Sequence, residues 1–442
     1  MNFSELVFIA RFLPLLLVIY YVTPHRWKNL VLLLASLGFN LFLDVKTCIV
    51  LGAFILINFP FLKVFDKVQK NKKKGVFICL LIMDSLPLIC FKFWPGLGGL
   101  MPVGLSFYTF MLLSVVCDVY WGRVRVSGLL EFSTYMSFFG KVLQGPIVLY
   151  EEMQEERKYT VSGLEYGMEL FIVGLMHKVL VADRIAILWN DVQMIGFESI
   201  STPMAYLGMA AFCIQLYFDF NGYSLMAMGV AKMLGIDFPR NFDHPYMAAT
   251  VGEYYRRWHA TLGRWFKEYV YIPLGGSRVR AFRHIFNLFV VWLFTGLWHG
   301  TTVNFLIWAG MLLVLICLEK FLYGKFLEKH FWISRIYIFT LIPLSWIVFA
   351  IPNLQGLIAY VKRLLPWVEH SGAVNARDYI HYGKDFIGVF LLAFVLSLPI
   401  VEKCFKKFRS SWWMKLILFV AFWVCIYVVA NNDGNPFLYS NF

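Results

Sequence analysis

The feature that most constrains this chain is a succession of apolar runs about 18 or more residues long, roughly a dozen of them. They begin with "ELVFIARFLPLLLVIYYVT" at residues 5–23 and end with "WMKLILFVAFWVCIYVVA" at 413–430. Lipid supplies no partners for backbone polar groups, so such runs must close their own hydrogen bonds as helices. A transmembrane barrel would need short segments of alternating polarity instead. The sequence therefore predicts an all-α polytopic membrane protein with about 11–12 spans. The first run lacks a basic leader and a small-residue cleavage site, and is expected to be retained as the first helix.

Of the 442 residues, 60% are hydrophobic and only 15% are charged, with a net charge of +13. The basic residues cluster between apolar runs, in "KVQKNKKK" at 67–74, "GRVRV" at 122–126, "RVRAFR" at 278–283 and "KCFKKFR" at 403–409. That placement follows the positive-inside rule, so no nucleic-acid partner is expected; the partner is the lipid bilayer. Counting runs between basic loops predicts a multi-pass plasma-membrane protein with both termini outside the cytoplasm. The eight cysteines form no C-x-x-C pair, which suggests neither a disulfide framework nor a zinc site. No H-E-x-x-H spacing is present either, and no metal or bound cofactor is expected.

Two regions depart from plain hydropathy. Residues 132–150, "FSTYMSFFGKVLQGPIVLY", and residues 203–280 carry charges and glycines within apolar surroundings. Both predict short, broken or re-entrant helices lining a cavity, where such backbone is tolerated. The stretch "GLIAYVKRLLPWV" at 356–368 is amphipathic and is expected to lie in an interface.

Histidines set in these apolar surroundings draw attention to chemistry. On a helix drawn continuously through residues 254–269, Arg256, Arg257, Arg264 and Lys267 share one arc, while Tyr255, Trp258, Leu262, Trp265 and Phe266 share the other. His259 falls at the edge of the aromatic arc. The cationic arc predicts either snorkelling side chains at headgroups or a site for a phosphate-bearing donor. In "FNLFVVWLFTGLWHGTTVNFLIWAG", His299 stands about 24 Å along a helix starting at Arg283, short of the roughly 30 Å of hydrocarbon. An ionisable residue at that depth is costly and predicts a functional site, the alternative being a packed core histidine.

The stretches "QLYFDFNGYSLMAMGVAKMLGIDFPRNFDHPYM", "RRWHATLGRWFKEYVYIPLGG", "FTGLWHGTTVNFLIWAG", "LQGPIV" and "GLMHKVLVADRIA" resemble the membrane-bound O-acyltransferase family. Within it, they resemble the bacterial branch that acylates alginate. The resemblance runs over about residues 100–310 and resumes at the C-terminus. It implies a ring of transmembrane helices around a central tunnel, with re-entrant and interfacial helices, folded as one domain over 1–442. That domain would comprise N-terminal helices (1–100), a catalytic core (101–310), C-terminal helices (311–430) and an exported aromatic tail (431–442). His299 would be the catalytic histidine and His259 the second, more cytoplasmic one.

The expected activity is transfer of an acyl group, acetyl above all, from a cytosolic acyl-CoA or acyl-carrier thioester toward an extracytoplasmic polysaccharide. A separate extracytoplasmic acyltransferase is the expected partner. Alternatives are D-alanyl transfer toward teichoic acid, or a non-catalytic polysaccharide or lipid exporter. Asn304 is a candidate to orient the donor or stabilise an oxyanion, and Trp298 to line the cavity. Asp219 and Asn221, in "YFDFNGYS", set cavity polarity or cap a helix. Tyr439, in "NPFLYSNF", is a candidate acyl relay or an interfacial aromatic. Leu225 stands where the branch has aspartate, and Phe139, Gly140 and Lys141 stand where it has "FPQ"; both leave acyl and acceptor identity open.

Overall fold

The structure, a computed structural model, describes residues 2–155, 157–368, 374–431 and 437–438. Among them regular structure is entirely helical, as the apolar runs require. Seven helices are long and apolar enough to cross a membrane: Val45–Val64, Lys70–Phe93, Ala281–His299, Val303–Lys329, Phe331–Ala350, Asp378–Ser397 and Trp412–Asn431. Phe8–Val22 and Leu105–Tyr120 are shorter apolar helices. Pro60, Pro87 and Pro343 sit inside three of the long helices, where helix neighbours in a membrane protein can re-satisfy the freed carbonyls.

The chain divides into two compact units, one formed by residues 1–174, 223–240 and 429–442, the other by 175–222 and 241–428. In the first unit, Phe3, Phe8, Phe39, Phe139 and Tyr223 make a ring-to-ring core; Phe3 stacks on Tyr223 at 5.1 Å between centroids. The helix Val161–Met176 crosses the end of Thr202–Met233 at Gly167 and Gly229. A Cβ on Gly229 would lie 2.5 Å from the Gly167 carbonyl oxygen, so only glycine permits this approach. Residues 132–150 are broken as expected, into Leu129–Ser137, Phe139–Val142 and Tyr150–Gln154.

The second unit is organised around tryptophan. Ala281–His299 and Val303–Leu318 form an antiparallel pair joined by Gly300–Thr302, and Phe331–Ala350 packs against the latter. Trp292, Trp308 and Trp346 meet between them, with Trp308 and Trp346 stacked at 5.9 Å. The amphipathic stretch is the helix Leu354–Arg363, whose Leu357, Tyr360 and Arg363 are buried and whose start is capped by the Asn353 side chain.

Candidate functional site

The continuous helix drawn through residues 254–269 is not formed. Val251–Arg257 ends at extended Trp258, and Ala260–Phe266 begins after His259, which is left-handed with φ 48°. Asn241 causes the break. Its carbonyl accepts from the Ala260 N–H at 2.9 Å, and its side-chain oxygen accepts from the Thr261 N–H at 3.3 Å and hydroxyl at 2.9 Å. These bonds take the amides that start the second helix and hold a backbone conformation that costs about 1–3 kcal/mol. The polarity of the two arcs survives the break: Trp258, Leu262, Trp265 and Phe266 are buried, while Arg256 and Lys267 are exposed.

The same oxygen determines the state of His259. An amide N–H can only donate, so the Asn241 atom facing Thr261 is the acceptor. His259 Nδ1, 3.0 Å away, must then donate to it. In the neutral ring Nε2 therefore carries the lone pair. The His259 ring packs edge-on against Phe220 at 4.7 Å.

The strap that carries His259 is tied to two spanning helices. Glu319, on Val303–Lys329, accepts from the N–H groups of Val251 and Gly252 at 2.5 and 2.9 Å, placing a carboxylate at a helix N-terminus. The Arg335 guanidinium donates to the carbonyls of Tyr246 and Ala248. Thr250 caps the Glu253 N–H, while Glu253 accepts from Ala249 N–H and pairs with Arg257 at 2.6 Å. Burial raises the Glu253 carboxyl's proton affinity, but the Ala249 N–H and the Arg257 guanidinium outweigh it and hold the group below its ordinary value.

His299 is the last residue of its helix and is buried among aromatic rings. Trp298 lies 4.4 Å away, Phe349 and Trp308 meet it edge-on at 4.9 and 5.1 Å, and Phe305 stacks at 6.0 Å. Gly300 makes the Phe305 contact possible, since a Cβ there would stand 2.5 Å from that ring. Trp298 also approaches His259, 6.4 Å between ring centroids. One indole thus separates the two histidines, which are 40 residues apart in sequence.

The remaining sequence candidates fall into separate places. The Asn304 amide is committed to structure: it donates to the carbonyls of Val348 and Phe349 at 3.2 and 2.9 Å and accepts from the Thr302 hydroxyl. Asp219 and Asn221 lie inside Thr202–Met233, so neither caps that helix. Asp219 takes the buried Lys178 ammonium at 2.8 Å, which Asp183 shares at 2.7 Å, and Asn221 faces His177 at 3.4 Å. Arg257 pairs with Glu253, and Arg256, half-buried Arg264 and Lys267 lie on three successive helical elements. Tyr439 lies outside the described residues. Among the described residues no three His, Cys, Asp or Glu side chains converge as metal ligands would.

Sequence reasoning missed Asn241 and Lys178. Asn241 follows "FPR" in a loop, and nothing in its spacing from His259 announces the contact. Lys178 could have been found as a lysine inside an apolar run, by the argument that singled out His299.

A family model described as membrane-bound O-acyltransferase matches residues 105–359. A probable alginate O-acetylase of Pseudomonas fluorescens is 32% identical over 80% of this chain and 74% of its own length. A peptidoglycan O-acetyltransferase of Helicobacter pylori is 29% identical over 87% of this chain and 82% of its own. A teichoic acid D-alanyltransferase of Bacillus subtilis is 25% identical over 60% of this chain and 73% of its own.

Proposed function

Because the chain belongs to the membrane-bound O-acyltransferase family and is therefore a polytopic membrane acyltransferase, we propose that it carries an acetyl group from a cytosolic thioester across the membrane for O-acylation of an extracytoplasmic polysaccharide. The observation that carries the reading is the convergence of His259 and His299 on Trp298. The alginate O-acetylase and the peptidoglycan O-acetyltransferase each align over four-fifths or more of this chain, against 60% for the D-alanyltransferase, which supports acetyl over D-alanyl.

His299 is the general base. It takes the proton of an attacking hydroxyl as that oxygen adds to the thioester carbonyl. The new C–O ester bond forms, the C–S bond breaks, and the proton leaves with the thiol. The aromatic walls around His299 exclude water that would hydrolyse the thioester. His259, with its Nδ1 proton given to Asn241, is suited to accept a proton at Nε2. Asn304, with its amide engaged, is suited to hold the turn after His299 rather than to bind an oxyanion. Arg256, Arg264 and Lys267 present cations that suit the phosphates of acyl-CoA or the prosthetic group of an acyl-carrier protein. A partner acyltransferase outside the cytoplasm would complete transfer to polymer, with Tyr439 as relay.

The deciding experiment releases ester-linked acyl groups from surface polymers with mild base and identifies them by mass. Cells carrying His299→Ala at matched abundance should lose acetate, with turnover down at least about a hundredfold. Loss of D-alanine would select teichoic acid acylation instead, and unchanged acyl content would remove His299 from catalysis. Recovery of the C-terminal peptide from an active preparation should show an acetyl increment on Tyr439, and its absence would remove the relay.

A further inference from the structure

Lys141 is a fully buried lysine that the acyl-transfer chemistry does not use. Its ammonium lies 3.3 Å from the centroid of the Tyr135 ring and has no hydrogen-bond partner. The ring satisfies one face of the cation but offers no oxygen to its N–H groups. Burial disfavours the charged form of Lys141, and Glu152, the carboxylate that offsets part of this through space, accepts from the Leu149 N–H at 2.7 Å. Three residues on, the Gln144 side chain is also fully buried, and neither its oxygen nor its nitrogen has a partner.

The segment carrying both residues packs against the first turn of Leu105–Tyr120. A Cβ on Gly104 would meet the Val142 carbonyl oxygen at 2.2 Å, and one on Gly145 would meet the Phe107 ring at 3.5 Å. That turn brings three more buried hydroxyls without partners, on Ser106, Tyr108 and Thr109. Buried polar groups in native proteins are normally paired, and buried charges are paired or hold a ligand. Lys141 and Gln144 lie three residues apart at the end of one short helix, so an ammonium and a carboxamide are neighbours there. The ammonium offers three N–H donors and no acceptor, so the partner it lacks is an acceptor oxygen, and a negative one matches its charge. We propose that Lys141 and Gln144 form a buried oxyanion-binding site that takes a carboxylate or phosphate group, supplied by a soluble molecule or by a lipid headgroup.

The test uses the full-length protein, delipidated in neutral detergent, with unfolding followed by tryptophan fluorescence. Inorganic phosphate and acetate are titrated separately at constant ionic strength against chloride. The expected result is a saturable rise in Tm for at least one anion. Apparent affinity should fall tenfold or more in Lys141→Met and be largely kept in Lys141→Arg. Gln144→Leu leaves the ammonium in place and should bind several-fold more weakly, so it decides the matter if Lys141→Met does not accumulate. If neither soluble anion shifts Tm, intact-mass analysis of protein taken directly from membranes distinguishes the lipid source. An anionic phospholipid retained by the wild type and lost from Gln144→Leu assigns the site to a headgroup. Absence of any bound anion in both arms, or equal binding by the wild type and the variants, overturns the proposal.

Discussion

Asn241 governs His259 through its side-chain oxygen, which fixes the ring's tautomer and, with the Asn241 backbone carbonyl, holds the left-handed turn at that residue. Asn241→Leu should therefore lower kcat on the order of a hundredfold while leaving KM nearly unchanged, because a small displacement of a reacting group is enough to cost that much. The double variant Asn241→Leu/His259→Ala should be no slower than His259→Ala alone, since residues acting as a unit are not additive. Steady-state kinetics on purified protein check this; additive losses would show that Asn241 acts elsewhere. The His299 ring sits among four aromatic neighbours drawn from three helices.

At the scale of elements, the short helix Val251–Arg257 could not persist alone, because helices of so few residues are marginal in isolation. Its start is built into Val303–Lys329 through Glu319, which accepts two of its N-terminal amides. Glu319→Leu leaves both amides buried without that acceptor and should cost about 1–3 kcal/mol locally. Hydrogen exchange should then rise at residues 250–254 while the spanning helices stay protected. Uniform exchange in both proteins would show that the cap contributes nothing. The shortness of Val251–Arg257 and Ala260–Phe266 also explains how His259 and Trp258 turn inward from a segment whose arginines and lysine face out: two helices meeting at a bend can present what one straight helix cannot.

For the whole molecule, the basic loops predict an orientation that labelling can test. In a variant lacking the eight native cysteines, Lys73→Cys should react with a membrane-impermeant maleimide only in inverted vesicles, and Asn441→Cys should react in intact cells. The opposite pattern would reverse the proposed direction of acyl transport. The breaks expected from residue 203 begin only after the continuous helix Thr202–Met233, but the all-helical polytopic architecture, the breaks within residues 132–150, the amphipathic helix near residue 360 and the buried setting of His299 were legible in the sequence. Each follows from the cost of placing backbone or charge in lipid, which a single segment expresses by itself. The bend at His259, the Asp219–Lys178–Asp183 cluster, the engagement of Asn304 and the Trp298 contact between the histidines were not. Each depends on groups brought together from distant segments, and hydropathy and periodicity carry no record of which distant partner a side chain meets. The sequence alone determined that this chain enters the membrane and which residues are expensive there. The tertiary structure alone decided which of those residues share a site, because burial compensates their cost only through partners that folding supplies.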